Sequence, residues 1–131
     1  MAIGRPKKYA LGREEEVGFL QGRCSQALFD YLRMLAVHPR FPYRNLAGMY
    51  GVLFDKFLEA KPWELGLVWR KPRSIKSISG GTGFVQVNIQ VPKELEQRVR
   101  DAAAAQDVSL AVFIYTALYW WGRYVHPPKK G

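Results

Sequence analysis

The chain has 131 residues, a hydrophobic share of 48% and a formal net charge of +9. This length fits one small domain or two very small units, and the hydrophobic share excludes a wholly disordered chain. The basic excess favours an anionic partner, either nucleic acid or an acidic membrane surface. Because Cys24 is the only cysteine, an internal disulfide is excluded, which suits a cytoplasmic protein. The longest apolar run, residues 110–121, falls short of the roughly 20 residues of a membrane span.

Residues 1–16 are predicted to form a basic tail that precedes the first folded unit. Its sequence Gly4-Arg5-Pro6-Lys7-Lys8 resembles the core of an AT-hook, in which arginine lies in a narrow minor groove. We therefore expect Arg5, Lys7 and Lys8 to contact DNA phosphates or the minor groove. The alternative is a plain basic tail that adds phosphate attraction alone.

Residues 17–60 are predicted to form a strand followed by two helices. The strand covers 17–24, with Leu20 on one face. The residues predicted to share the opposite face are Phe19, Gln21 and Arg23. Ser25 can cap the first helix, which runs to about residue 37, and Pro62 stops the second helix at about residue 60.

Residues 61–83 are rich in proline, lysine, arginine, serine and glycine, which predicts a basic linker. Arg73 and Lys76 within it are placed to neutralise phosphates, together with Arg70 and Lys71. A solvated loop would have the same composition, so this alternative stays open.

Residues 84–126 are predicted to form a second strand and two more helices, with the strand over 84–91. Gln86, Asn88 and Gln90 alternate there with aliphatic residues, so the three amides share one face. Asparagine and glutamine bind adenine edges in the DNA major groove with two hydrogen bonds. The alternative is the solvated face of an edge strand. After Pro92 a helix runs to about residue 106, and Ser109 caps a final helix to about residue 125.

An offset of 67 residues aligns the two units without a gap. Apolar residues at i, i+4, i+7 and i+8 of the first helix fall on apolar residues of the third helix. Gln21 falls on Asn88, so an antiparallel pairing of the strands would bring these two amides together at its centre. The helix start at Ser109 and its counterpart near Arg44 can offer backbone amides to a phosphate.

The sequence Gln86-Val87-Asn88-Ile89-Gln90-Val91-Pro92, followed by an amphipathic helix, a turn with serine and an apolar helix, resembles the ribbon-helix-helix family of the Arc and MetJ repressors. The resemblance implies an α+β, mostly α fold in which 17–60 and 84–126 form one domain, a tandem pseudo-dimer with a two-stranded antiparallel ribbon on a four-helix core. It implies sequence-specific binding of double-stranded DNA in the major groove. A chain that carries both halves looks like the tandem, single-chain members found among accessory proteins of conjugative or T-DNA-like plasmid transfer. This resemblance implies a relaxase or further copies of the chain as partners, and transcriptional repression is the other role implied.

The sequence offers no constellation of residues for catalysis, and we expect neither a metal nor a cofactor. His38 and His126 lie far apart and lack a carboxylate at ligand spacing. The glycine-rich run 80–83 precedes a strand and lacks the lysine of a phosphate-binding loop. The alternative function is a helical protein–protein adaptor that binds through a C-terminal aromatic patch of Tyr119, Trp120, Trp121 and Tyr124.

Overall fold

The structure of the chain is a computed structural model that describes residues 16–78 and 80–128. Within those residues the chain forms a mixed α+β fold with four α-helices and two small antiparallel sheets. The elements in chain order are β1 (Val17–Ser25), α1 (Gln26–Val37), α2 (Leu46–Ala60), β2 (Lys76–Ser77), β3 (Gly80–Gly81), β4 (Phe84–Pro92), α3 (Lys93–Ala105) and α4 (Leu110–Trp120). A 3-10 turn at Pro62–Leu65 follows α2, and a π-helical turn at Trp121–Val125 continues α4.

Polar side chains begin three of the helices. The Oγ of Ser25 accepts the backbone N–H of Leu28 at 3.1 Å, and the Oγ of Ser109 accepts that of Val112 at 3.1 Å. Asn45 caps α2 in the same way, through a 2.8 Å bond from the N–H three residues later. Each cap satisfies a backbone donor that the first helical turn leaves without an intrahelical partner. The caps predicted at Ser25 and Ser109 are confirmed.

Strands β1 and β4 pair antiparallel over nine residues each and form a two-stranded ribbon. Gln21 lies opposite Asn88 at the centre of the ribbon, which confirms the predicted pairing. Inward residues such as Leu20 and Ile89 are buried at 2% exposure or less, whereas Gln21 and Asn88 are exposed. The ribbon therefore has an apolar inner face and a polar outer face.

The inner face of the ribbon lies on a core shared by both halves of the chain. Helix α4 packs against β1 and α2 packs against β4, so each strand is covered by a helix from the other half. Gly22 allows the close approach of α4, because a Cβ there would lie 2.6 Å from Cγ2 of Ile114. Glycine weakens an isolated strand, but here its missing side chain makes room for a helix.

The first part of the predicted linker is packed structure. The rings of Trp63 and Trp69 stack at a centroid distance of 5.3 Å, and Trp63 meets Phe57 at 5.2 Å. The backbone N–H of Arg70 donates a 2.8 Å hydrogen bond to Oγ1 of the buried Thr116 on α4. A solvated loop does not describe this stretch, because its two tryptophans bury ring surface against α2 and α4.

Candidate nucleic-acid interface

The outer face of the ribbon brings together all six residues predicted to contact bases. The pairing sets them in three opposed couples, which are Phe19 with Gln90, Gln21 with Asn88 and Arg23 with Gln86. Among the six, Arg23 alone carries a charge, and the rest are amides and one aromatic ring. The two strands thus present different side chains at equivalent positions.

The central amides of this face bond to one another. The Nε2 of Gln21 donates to Oδ1 of Asn88 at 3.2 Å, and the Nε2 of Gln86 donates to the same oxygen at 3.3 Å. A carbonyl oxygen has two lone pairs, so Asn88 can accept both bonds. These contacts hold three amides in a defined arrangement on an exposed surface.

Arg23 lies at one end of the outer face and is tied to the segment before the β2–β3 hairpin. Its Nε donates a 3.1 Å hydrogen bond to the backbone oxygen of Arg73. Because a guanidinium has five N–H donors, this bond uses one of them and restricts the orientation of the others. The alternation of the first strand predicted Arg23 on this face, but no feature of the sequence indicated its contact with Arg73.

The opposite end of the outer face carries an arginine that the sequence analysis did not assign to the site. Arg100 on α3 donates from Nη2 to the backbone oxygen of Phe19 at 3.2 Å and from Nε to Oε2 of Glu96 at 2.8 Å. A shallow groove of about 490 Å³ lies beside it, lined by Phe19, Leu20, Gln21, Asn88, Arg100 and Leu110. The 67-residue offset aligns Arg100 with Arg33, and this identity was the signal available in the sequence.

Four of the seven residues predicted to contact phosphates lie in the described part of the chain, all of them outside β1 and β4. Ser109 is exposed at the start of α4, one residue before the Leu110 that lines the groove. Arg44 is exposed in the left-handed region, with φ of 68°, just before the cap of α2. Arg73 and Lys76 are exposed, and the backbone oxygen of Arg73 accepts the hydrogen bond from Arg23. The remaining three, Arg5, Lys7 and Lys8, lie outside the described residues.

The predicted C-terminal aromatic patch does not form a single surface. Trp121 is 1% exposed in the core, whereas Tyr124 is 60% exposed. The guanidinium carbon of Arg70 lies 3.8 Å from the centroid of the Tyr119 ring. An open groove of about 440 Å³ remains there, lined by Pro62, Leu65, Gly66, Leu67, Val68, Arg70, Tyr119, Trp120 and Tyr124.

His126 joins the C-terminal end of the fold to the connection between α1 and α2. Its ring lies 4.5 Å from that of Phe41 and 4.9 Å from that of Trp121, measured between centroids. The hydroxyl of Tyr43 is 2.9 Å from its Nε2, and the hydroxyl of Tyr31 donates to its backbone oxygen at 2.5 Å. Burial among these rings lowers the pKa of His126.

We expect the free energy of unfolding to decrease as the pH is lowered below about 6.5, the ordinary pKa of histidine. Burial disfavours the imidazolium form, so the folded chain binds this proton at lower pH than the unfolded chain. The stabilisation is therefore complete above the unfolded pKa and is lost as the pH falls towards the folded one. Urea denaturation at pH 7.5 and pH 5.5 measures the effect, and His126→Gln should reduce the difference between the two values. An unchanged difference in the variant would contradict this role of His126.

Comparison of the chain with protein-family models, with curated proteins and with solved structures finds no match.

In the described part of the chain, no single helix is both long and apolar enough to cross a membrane. Residues 93–105 and 110–125 meet that criterion only when counted together, and the two segments bend by 108° at their junction.

Proposed function

We propose that this chain is a sequence-specific double-stranded DNA-binding protein, a tandem ribbon-helix-helix pseudo-dimer that inserts the β1–β4 ribbon into the major groove. The observation that carries the proposal is the antiparallel ribbon, in which Gln21, Gln86 and Asn88 lie side by side on an exposed face above a closed core.

The dimensions and the chemistry of the ribbon support this proposal. Two strands lie about 4.8 Å apart, and the major groove, about 12 Å wide, admits a two-stranded ribbon. Amide side chains suit adenine, and Arg23 suits the O6 and N7 of guanine. The net charge of +9 supplies attraction to phosphates, and the exposed start of α4 at Ser109 can donate backbone N–H groups to one.

The proposed activity is binding without chemistry on the DNA. The resemblance to tandem ribbon-helix-helix proteins favours a role as an accessory factor of plasmid transfer, in which a relaxase or further copies of this chain are partners. Transcriptional repression requires the same interface. Footprinting on the replicon that encodes the protein distinguishes these roles, because a transfer origin and a promoter are different sites.

Selection from random duplexes tests the proposal, together with the mass of the free protein from light scattering. We expect one chain to bind a non-palindromic site, because Phe19, Gln21 and Arg23 oppose Gln90, Asn88 and Gln86. Arg23→Ala should relax the preference on one flank. Arg33→Ala is the matched control, because it removes the same charge from an arginine of α1 that lies 3.8 Å from Asp30. Enrichment of no sequence, or of a perfect inverted repeat bound by two chains, would contradict the proposal.

The groove beside Tyr119 favours a second candidate function, that of a protein–protein adaptor. Leu65, Val68 and Tyr124 on its walls are 82%, 71% and 60% exposed. Binding through such an apolar surface changes little with salt, whereas binding through phosphates weakens steeply. The affinity for a bound partner, measured over a range of salt concentrations, therefore separates the two candidates. A steep loss of affinity with salt favours DNA binding, and a small change favours the adaptor.

A further inference from the structure

The β2–β3 hairpin is anchored to one end of the ribbon. The backbone N–H of Phe84, the first residue of β4, donates to Oγ1 of Thr82 at 3.2 Å. That hydroxyl in turn donates to the backbone oxygen of Ser74 at 2.5 Å. The bond from Arg23 to the oxygen of Arg73 ties the other arm of the hairpin to the outer face. These bonds attach the hairpin to the Arg23 end of the surface proposed to enter the major groove.

The chain around this hairpin is basic and ends in an exposed aliphatic side chain. Residues 65–92 contain Arg70, Lys71, Arg73 and Lys76 and no aspartate or glutamate. Ile78 shows 107% relative exposure, so it is as accessible as in an extended chain. A single exposed aliphatic residue is ordinary on a protein surface. Ile78, however, lies on a basic hairpin that is attached to the proposed DNA interface, so DNA bound there is a possible contact for this side chain.

We propose that Ile78 enters the minor groove next to the ribbon's site, partly unstacks a base step there and bends the DNA. This inference rests on the proposed function. Ile78 lies six positions before Phe84 in the sequence, which corresponds to a reach of at most roughly 20 Å and is enough to cross a phosphate backbone. Lys76 and Arg73 suit the phosphates on the way, and isoleucine is among the side chains that minor-groove proteins insert between bases.

The bend would lie on one side of the site. In the described residues, the end of the ribbon where Val17 pairs with Pro92 carries no comparable hairpin. The base step that Ile78 unstacks should therefore flank the half of the site nearest Arg23. Flexible pyrimidine–purine steps should be favoured there, although no side chain contacts their base edges.

The bend angle tests the inference, measured by energy transfer between dyes at the ends of a duplex taken from the selection. We expect the wild-type protein to bend this duplex by at least about 20°. Ile78→Ala should lose more than half of the bend and bind roughly 3- to 10-fold more weakly, with an unchanged salt slope. Lys76→Ala should keep the bend and lower the slope by about one, because it removes one phosphate contact. Val37→Ala is the matched control, an exposed aliphatic residue at the end of α1 and outside the hairpin, and should behave as wild type.

Three results would overturn the inference. A straight duplex in the wild-type complex, or an equal bend with Ile78→Ala, would exclude the wedge while leaving ribbon binding intact. A lower mass of the free protein on Ile78→Ala, measured by light scattering, would assign Ile78 to contact between copies instead. Failure of the wild-type protein to select any duplex is the separate result that refutes the proposed function itself.

Discussion

Replacing Asn88 by alanine is expected to reduce the preference for the specific duplex over a random one by roughly 5- to 150-fold, while stability changes little. Asn88 is exposed, and its Oδ1 accepts the bonds from Gln21 and Gln86 that order the outer face. A lost bidentate base contact costs about 1–3 kcal/mol of discrimination, which corresponds to this range. The loss should appear on the specific duplex and leave binding to random DNA nearly unchanged.

Mobility shifts on both duplexes measure this effect, and chemical denaturation checks the fold. Gln97→Ala is the matched control, because Gln97 is an exposed amide on α3 that bonds to Asp101 rather than to the ribbon. It should alter neither preference nor stability. An equal loss on both duplexes with Asn88→Ala, or no loss on either, would argue against base contact by the ribbon.

Replacing Phe57 by alanine is expected to lower the free energy of unfolding by about 3–5 kcal/mol. Phe57 is fully buried on α2, and its ring lies 5.2 Å from Trp63, 5.3 Å from Phe113 and 5.3 Å from Trp120. The substitution removes apolar contact and leaves a cavity between α2, α4 and the segment after α2. Urea denaturation followed by circular dichroism gives the change.

Phe19→Ala is the control for Phe57→Ala, because it deletes the same side chain from a position that is 51% exposed on the ribbon. It should leave stability nearly unchanged. Any effect of Phe19→Ala should instead appear in the choice of DNA site. A loss below about 1 kcal/mol for Phe57→Ala would mean that the segment with Trp63 adds little to the core.

Local signals in the sequence predicted the elements of this fold well. Ser25 and Ser109 form the caps expected of them, and the second helix ends at Ala60, just before Pro62. Such signals succeed because a cap or a proline acts within one turn of the chain and needs no distant partner. The strands differ from prediction by one residue at their ends, where assignment is least sharp.

The internal offset predicted one long-range feature, the pairing of Gln21 with Asn88, because two related strands that pair antiparallel must cross at equivalent residues. Other long-range features left no local signal. The packing of Trp63 and Trp69 was hidden by the prolines and basic residues around them, which are typical of a loop. The bond from Arg23 to a backbone oxygen 50 residues later depends on a path of the chain that composition does not specify.

Both strands of the ribbon belong to one chain, so a substitution changes one strand alone and the pairing of the strands does not depend on protein concentration. In a ribbon built from two identical chains, every substitution appears twice and the assembly dissociates at low concentration. Here a codon change at Gln86 leaves its opposite, Arg23, untouched. The ribbon also closes within a single molecule, so a few copies in a cell suffice to keep it intact. Under the proposed DNA binding, a substitution can therefore change the preference on one flank of the site while the preference on the other flank is kept.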